Sequence, residues 1–298
     1  MAMNEVVLEN EHGRVVFSPL AGASLRSLSV VSNGKRHELL TAGDGPHDPT
    51  TLAQGTGCFI MAPWPSNMGK GVLYARGRTY QMPVNRPPHA IHGTVRDQEW
   101  SVAEANDTSA RLLTELREPW PFPGTVQYDM KLDGPSLLLK LTVEAAPEEK
   151  EFPVGIGWHP WFRRDLGTGH LSVTARGQKS AWELDAEFNA TGRQLEVPPS
   201  LSLDTPKVPG VDDFNTCFGY DVSHPFEVSW PDAVTLQMQS SEEMTQLVMY
   251  TTPESVCVEP ISCTVDAFRL EAEGIKNTGT AYVAPGKPFS GWTRWSWM

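Results

Sequence analysis

The sequence contains no hydrophobic run long enough to cross a membrane. Of its 298 residues, 40% are hydrophobic and 20% are charged, and every apolar stretch is shorter than the roughly 18 residues that suggest a transmembrane helix. The N-terminus lacks the basic segment followed by an apolar segment that marks a secretory signal. We therefore expect a globular, cytoplasmic protein with no membrane partner.

Cysteine is scarce, and common cofactor motifs are absent. Cys58, Cys217, Cys257 and Cys263 form no CxxC pair and no Cys/His array, which indicates neither a zinc site nor a disulfide framework. We expect these cysteines to be reduced and mostly buried. No GxSxG, P-loop, GxGxxG or HExxH pattern occurs, so serine hydrolase, nucleotide-binding and zinc protease functions have no support. The sequence predicts neither a metal nor a cofactor.

The chain carries fewer positively charged than negatively charged residues. The chain has 24 Lys and Arg residues against 36 Asp and Glu residues, which gives a formal net charge of -12. A field of this sign repels polyanions, so nucleic acid is not an expected partner, and phosphorylated substrates are also disfavoured. A local basic pair such as Arg163-Arg164 can override that field at short range. A neutral small molecule is the simplest expectation for the substrate.

Glycine and proline, 25 of each, separate short runs rich in Val, Leu, Thr and aromatic residues. These runs predict strands at Gly13–Phe17, Thr79–Met82, Ser136–Glu144, Phe226–Trp230, Val234–Gln239 and Leu247–Tyr250. Helix is limited to possible single turns at Asp212–Cys217 and Ser240–Thr245, where Asp and Ser can act as caps.

This pattern predicts an all-β protein built as a large antiparallel β-sandwich. No low-complexity linker and no repeat with a period of about 20 to 50 residues divides the chain, so we expect residues 1–298 to form one domain. The tail, residues 291–298, alternates tryptophans with polar residues. It is predicted to be a final strand docked on the body, because free tails seldom carry so much apolar weight.

Histidine and arginine first occur together among turn-forming residues in segment 90–100. A glycine directly after His92 lets the backbone turn sharply, and Arg96 follows four positions later, so the two side chains can converge. Taken alone, this segment favours the alternative interpretation, a surface hairpin with an incidental histidine. His89 lies three residues before His92, but this spacing in an extended chain points the two rings to opposite faces, which excludes a metal pair.

His159 lies in the segment VGIGWHPWFRR, residues 154–164. It follows Trp158 and precedes Pro160, which fixes the local backbone. Aromatic neighbours disfavour the charged imidazole and a nearby carboxylate favours it, so the proton stays transferable near neutral pH. The indoles also suit the apolar face of a sugar ring. The alternative is a core histidine that is hydrogen-bonded to the backbone.

Two carboxylate segments complete the candidate set. Glu259 interrupts the apolar run VCVEP, where a carboxylate is costly unless it is paired or functional. Its structural alternative is a buried ion pair, with Arg96 or Arg269 as the partner. Burial raises the pKa of a carboxyl group, which suits a general base working near neutrality. Asp212 lies at a predicted turn or helix start, and by itself it indicates only a cap or a solvated turn residue.

Taken in order, these segments resemble the aldose 1-epimerase (galactose mutarotase) family. The matching motifs are His92-Gly93 with Trp100, His159-Pro160-Trp161-Phe162, Asp212-Asp213 and Glu259-Pro260, and the segment at residues 62–83 is similar to the family's PWPNRI segment. The resemblance covers roughly residues 15–290, and several motifs in order are far more specific than any single one.

The resemblance implies a galactose mutarotase-like β-sandwich with the site in a cleft across one sheet. It implies that His159 is the general acid and Glu259 the general base of a mutarotase acting on a free sugar. His92 would bind the sugar near its ring oxygen, and Asp212 would bind a hydroxyl group. We also assign Arg96 to substrate binding.

The sequence departs from the family pattern around the sugar. An ungapped match to the PWPNRI segment puts Asn67 at the position of the family's sugar-binding arginine, so that position has neither charge nor a bidentate fork. Trp158 and the pair Arg163-Arg164 add bulk and charge that can favour an unusual sugar. The alternatives are therefore a mutarotase for an acidic or phosphorylated hexose and a non-catalytic sugar-binding or sensing protein. Either a monomer or a homodimer is compatible with the sequence.

Overall fold

The computed structural model describes residues 5–42 and 55–298. Within these ranges the chain forms 26 strands, one short α-helix and three 3-10 turns. In that part of the chain, no helix has the length and apolar character needed to span a bilayer.

The strands, in chain order, are β1 Val6–Asn10, β2 Gly13–Ser18, β3 Ser24–Ser32, β4 Lys35–Glu38, β5 Cys58–Met61, β6 Asn67–Met68, β7 Val72–Ala75, β8 Arg78–Gln81, β9 Ala90–Ile91, β10 Ser101–Ala105, β11 Ser109–Leu116, β12 Gly124–Leu132, β13 Ser136–Ala145, β14 Phe152–Val154, β15 Gly157–Pro160, β16 Phe162–Arg163, β17 Ser172–Thr174, β18 Gln178–Leu184, β19 Ala190–Leu195, β20 Asn215–Tyr220, β21 Phe226–Trp230, β22 Val234–Ser240, β23 Gln246–Thr251, β24 Ser255–Ile261, β25 Ala281–Val283 and β26 Phe289–Trp297. The helix α1 spans Ala267–Ala272, and the 3-10 turns lie at Gly69–Gly71, Val95–Asp97 and Pro199–Leu201.

Two large antiparallel sheets contain most of these strands. The larger sheet has 12 strands, and its main path runs β1-β2-β3-β5-β15-β24-β23-β20-β18-β19, while the smaller sheet runs β10-β11-β12-β13-β26-β22-β21-β17. Buried residues from both sheets form one hydrophobic cluster. The predicted antiparallel β-sandwich is confirmed, and the tail is a strand, β26, paired with β13 and β22.

The larger sheet is buried on both of its faces where the site lies. Along β5, Cys58 and Ile60 belong to the main core, whereas Phe59 and Met61 belong to a second cluster on the opposite face. This follows from the period-2 alternation of side chains along a strand. Every residue of β5, β15 and β24 is buried, which explains why these strands read as continuous apolar runs around a histidine and a carboxylate.

The two predicted helical turns are wrong. Asn215–Tyr220 is strand β20, which pairs with β23 from Asn215↔Tyr250 to Gly219↔Gln246, so ladder pairing outweighs the capping signal of the aspartates. Residues 241–245 form turns between β22 and β23. The α-helix is instead α1, which begins after Asp266, a residue in the left-handed conformation at φ 55°. Its sequence AFRLEA consists largely of good helix formers.

All four cysteines are free and buried, as predicted. Cys58 and Cys263 belong to the main core and Cys217 to the second cluster. Burial raises the pKa of each of the four thiols above its ordinary value.

Candidate active site

A cavity of about 590 Å³ lies over the second face of the larger sheet. Its polar and charged lining residues include Asn67, Asn85, Arg86, His89, His92, Arg96, His159, Glu187, Asn215, Thr216 and Glu259, and its aromatic lining residues are Phe59, Trp161, Phe188 and Tyr250. A large pocket with convergent polar groups on an aromatic floor has the composition expected of a small-molecule site.

His159 and Glu259 meet on the floor of this cavity. They lie on the neighbouring strands β15 and β24, which pair at Gly157↔Ile261. The Nε2 atom of His159 is 3.3 Å from Oε1 of Glu259. The exposed fractions are only 5% for His159 and 2% for Glu259, so the contact forms in a region from which most water is excluded.

Aromatic rings enclose the imidazole of His159. Trp161 stacks on it with centroids 4.7 Å apart and an interplanar angle of 15°, and the ring of Phe59 lies 4.5 Å away. His92 approaches edge-on at 5.3 Å and 86°. The histidine is therefore held in one orientation, and one of its nitrogens faces Glu259.

Burial favours the neutral form of both groups of the pair. Burial and the positive charge of Arg96 lower the pKa of His159 from 6.5 to about 3. Burial also raises the pKa of Glu259 well above its ordinary value of 4.5. A neutral imidazole beside a protonated carboxyl group holds one transferable proton, so one residue is an acid and the other a base.

His92 depends on an unusual backbone. His92 and Gly93 both have left-handed φ angles, 63° and 74°, and a Cβ on Gly93 would lie 1.9 Å from the carbonyl oxygen of Ala62. Burial is the main cause that lowers the pKa of His92 well below 6.5, and the charges of His159 and Arg96 lower it further. The buried Nδ1 of His92 has no hydrogen-bond partner among the residues that the structure describes, and the residue lines the cavity.

His89 and His92 both line the cavity, contrary to the expectation that they face opposite ways. Strand β9 contains only two residues, Ala90 and Ile91, and the left-handed turn at His92 breaks the alternation. His89 is held by protein groups. Its Nδ1 lies 3.2 Å from the donating backbone nitrogen of Lys70, and its Nε2 lies 2.8 Å from the carbonyl oxygen of Glu187.

Arg96 lies beside the pair without bonding to Glu259. Its guanidinium carbon is 4.4 Å from the centroid of the Phe59 ring, its side chain is 11% exposed, and its Nε is 3.4 Å from Oδ1 of Asp97. Arg269 binds Asp266 and Glu273 through its own side chain. Among the described residues, the alternative ion pair of Glu259 with Arg96 or Arg269 is therefore absent, and the partner of Glu259 is His159.

Asn67 lines the cavity, but its side chain also holds the wall in place. Its Nδ2 donates a hydrogen bond of 3.0 Å to the carbonyl oxygen of Phe188. Phe188 is 51% exposed and lines the same cavity. The asparagine thus tethers the loop between β18 and β19 to the cavity wall.

The structure does not bring Trp158 or Asp212 to the cavity. Trp158 is fully buried in the main core, because alternation along β15 turns it away from the face of His159. Asp212 is exposed in the turn before β20, with φ 57°, and the cavity is lined by Asn215 and Thr216 instead. These positions argue against sugar contacts by either residue.

Arg163 and Arg164 also lie outside the cavity lining. Arg163 donates to the carbonyl oxygen of Leu40. Arg164 donates to the carbonyl oxygens of Thr252, Pro209 and Gly210. The basic pair that the sequence singled out thus anchors loops, and the cavity's arginines are Arg86 and Arg96.

Sequence reasoning missed several lining residues. From the sequence, both indoles suit a sugar face but only Trp158 is assigned to the site, whereas period-2 alternation places Trp161, two positions after His159, on the face of the histidine. Phe59 and Tyr250 lie on strands distant in sequence from His159, and Arg86 and Phe188 lie on loops. No local pattern brings these four to the site, because only the order of strands in the sheet and the path of the loops do so.

One group of side chains has the composition of a metal site. His159, Cys257 and Glu259 each offer one potential ligand atom, and these three atoms lie within 4.8 Å of one another. All three residues are buried.

Comparison with known proteins identifies the family. A family model described as aldose 1-epimerase matches residues 4–295. The YihR protein of Escherichia coli strain K12 is 23% identical over 243 residues, which cover 75% of this chain and 75% of that protein.

Solved structures share the fold at low identity. The GalM/aldose epimerase homologue from C. elegans has a TM-score of 0.84 at 14% identity, with coverage of 99% of this chain and 98% of that chain. The galactose 1-epimerase from Lactobacillus acidophilus NCFM has a TM-score of 0.78 at 16% identity, with coverage of 99% and 94%. Together with a family match across nearly the whole chain, these findings show that the protein belongs to the aldose 1-epimerase family.

Proposed function

We propose that the protein interconverts the α and β anomers of a free aldose, with His159 and Glu259 as its acid/base pair. The observation that carries the proposal is the 3.3 Å contact between Nε2 of His159 and Oε1 of Glu259 on the cavity floor. The pair supplies one acid and one base at the same place, as opening and closing a sugar ring requires.

Ring opening removes a proton from the anomeric hydroxyl and delivers one to the ring oxygen. With Glu259 ionised and His159 protonated, Glu259 takes the first proton and His159 gives the second, so the C1–O5 bond breaks and an aldehyde forms. Rotation about C1–C2 presents the other carbonyl face, and closure uses the same groups with their roles exchanged. Each assisted proton transfer contributes roughly 10²- to 10⁴-fold, and binding the sugar between the groups adds further acceleration.

The neutral resting pair fits this cycle. One opening step leaves Glu259 protonated and His159 neutral, which is the state that burial favours. Proton transfer across the 3.3 Å contact converts the neutral pair into the ionised pair before the ring opens, and closure regenerates the ionised pair as Glu259 returns its proton to the C1 oxygen and His159 takes the proton of the C5 hydroxyl. The ionised pair therefore opens the ring and the neutral pair closes it. The total charge of His159 and Glu259 is the same in both states.

The surroundings of the pair suit a pyranose. Trp161 and Phe59 offer ring faces next to His159, and such faces pack against the C–H groups of a sugar. His92 lines the cavity beside the ring of His159, and we assign it to a hydrogen bond with the sugar. We assign Arg96 to substrate binding because it lines the cavity beside Phe59.

A second candidate is a mutarotase for an anionic sugar. Arg86 and Arg96 both line the cavity, and burial favours the neutral form of Glu259. The chain as a whole has a net charge of -12, which repels anions. Inside the cavity, the positive charge of the two arginines outweighs this repulsion and attracts a carboxylate, phosphate or sulfonate group on the sugar.

The test is the rate at which pure α-glucose or α-galactose approaches equilibrium, followed by polarimetry. Glu259→Gln keeps the shape of the side chain and removes the base, so we expect it to fold normally and to lose at least about 10²-fold in rate. An unchanged rate would refute the assignment. Saturable sugar binding by calorimetry, without any acceleration in the wild type, would instead identify a non-catalytic sugar-binding protein.

A panel of neutral and anionic aldoses, measured by NMR exchange between anomers, separates the two candidates. If the substrate is anionic, Arg86→Ala lowers kcat/KM for anionic sugars and leaves that for neutral sugars unchanged. Arg78→Ala is the matched control, because Arg78 is exposed on β8 and lies outside this cavity. Equal losses on both classes of sugar would rule out charge recognition by Arg86.

A further inference from the structure

The second face of the larger sheet carries a thiol directly beside the acid/base pair. Cys257 and Glu259 are two positions apart on β24, so alternation places both on the face opposite the core residues Val256 and Val258. His159 enters from the neighbouring strand β15. One imidazole nitrogen, the Cys257 sulfur and one Glu259 oxygen all lie within 4.8 Å of one another.

The spacing of these atoms approaches that of a tetrahedral zinc site. Zinc binds imidazole nitrogen and carboxylate oxygen at about 2.0–2.2 Å, so two such ligands at a tetrahedral angle are separated by roughly 3.3 Å. The Nε2 atom of His159 and Oε1 of Glu259 are 3.3 Å apart. The Cys257 sulfur lies within 4.8 Å of a nitrogen of His159 and an oxygen of Glu259, so closing a tetrahedral site requires the sulfur to approach these atoms.

We propose that His159, Cys257 and Glu259 together bind a thiophilic divalent cation such as Zn²⁺ or Cd²⁺, and that the bound ion blocks the acid/base pair. Blocking of catalysis rests on the function proposed above, whereas binding of the ion does not. The donor set of nitrogen, sulfur and oxygen selects borderline and soft cations over Mg²⁺, which prefers oxygen ligands.

Charge balance favours this ion in a buried position. A Cys257 thiolate and a Glu259 carboxylate together balance the charge of one dication, and His159 binds as a neutral ring. The ion reaches the pair through the cavity, which both His159 and Glu259 line.

The site has the character of an inhibitory trap and not of a resident metal centre. A ligand histidine in a dedicated metal site almost always donates its second ring N–H to a neighbouring acceptor. Among the described residues, the buried Nδ1 atom of His159 has no hydrogen-bond partner. An ion on Nε2 and on the carboxylate also occupies both groups that would move protons, so the loaded site cannot open a sugar ring.

Direct binding is tested with Co²⁺, which produces thiolate-to-cobalt absorption when a cysteine coordinates it. We expect this absorption in the wild type and its loss in Cys257→Ala. Cys263→Ala is the matched control, because Cys263 is also a buried free thiol but lies in the main core. Absence of the band in the wild type, or its persistence in Cys257→Ala, would overturn the proposal. If Cys257→Ala does not fold, Cys257→Ser replaces it.

Inhibition is tested by titrating Zn²⁺ and Cd²⁺ into the mutarotation assay, with Mg²⁺ as the control ion. We expect Cys257→Ala to keep its basal activity and to raise the midpoint of inhibition by more than about tenfold, while Cys263→Ala responds like the wild type. Equal sensitivity of Cys257→Ala and the wild type would refute the role of the thiol. A wild type that binds Co²⁺ but does not speed mutarotation would refute the proposed function alone.

Discussion

Two tryptophans flank the same histidine and have different environments. Trp161 shares a face with His159 and stacks on its ring at 4.7 Å, whereas Trp158 is fully buried in the main core. The difference follows from alternation along β15, which turns adjacent side chains to opposite faces of the sheet. At the scale of the residue, one position of sequence separates a group at the site from a group in the core.

Substitution of the two tryptophans should therefore have separable effects. We expect Trp161→Ala to lower kcat/KM by about tenfold, because an aromatic contact contributes roughly 0.5–1.5 kcal/mol. Trp158→Phe should lower the free energy of unfolding by roughly 1–3 kcal/mol and leave kcat/KM almost unchanged. Mutarotation kinetics and urea denaturation of both variants provide the measurements. A larger kinetic loss in Trp158→Phe than in Trp161→Ala would contradict the assignment.

Short elements and left-handed turns position the groups around the pair. The backbone reverses at His92 and Gly93, directly after the two-residue strand β9. Gly93 packs so closely on Ala62 that a Cβ would lie 1.9 Å from its carbonyl oxygen. A glycine is needed there for both its φ angle and its lack of a side chain.

Gly93→Ala and Gly286→Ala form a matched pair for this turn. Both glycines have φ of 74°, but a Cβ on Gly286 would meet no atom of the described residues within 4 Å. We expect Gly286→Ala to cost about 1 kcal/mol of unfolding free energy from backbone strain alone. Gly93→Ala should cost at least about 2 kcal/mol more from the clash and should slow mutarotation by displacing His92. Equal costs in urea denaturation would show that the turn relaxes freely.

At the scale of the whole molecule, the buried pair links folding stability to pH. Below pH 6.5 the unfolded chain protonates His159, whereas the folded protein does not until about pH 3, so this term destabilises the fold as the pH falls. Glu259 acts in the opposite direction, because the folded protein holds a proton that the unfolded chain releases above about pH 4.5. Between pH 4.5 and pH 6.5, the ordinary pKa values of the two groups, their contributions to the pH dependence of the unfolding free energy offset each other.

Replacing either residue of the pair leaves only the pH dependence of stability that the other residue contributes. Relative to the wild type, Glu259→Gln should lose stability as the pH falls from 7 to 5, with a slope of at most about 1.4 kcal/mol per pH unit. His159→Gln should gain stability over the same interval, because the Glu259 term then acts alone. Urea denaturation at pH 5, 6 and 7 measures both slopes. Profiles parallel to that of the wild type would show that the pair is not neutral in the folded protein.

The antiparallel β architecture, the buried cysteines, the final strand and the exceptional character of His159 and Glu259 are all readable from the sequence. They depend on local patterns, namely turn residues between β-forming runs and polar groups within apolar ones, and such patterns act over a few residues. The capping signal at Asp212 failed because pairing of β20 with β23 decides that segment.

The tertiary structure alone decided that the acid/base pair is in contact. Residues 159 and 259 become neighbours because β15 and β24 are adjacent in the larger sheet, and strand order depends on the packing of the whole core. The same strand order brings Phe59 to the rings of His92 and His159 and places the Cys257 thiol near His159. The sequence by itself determined which side chains are chemically costly, whereas long-range pairing determined which of them meet.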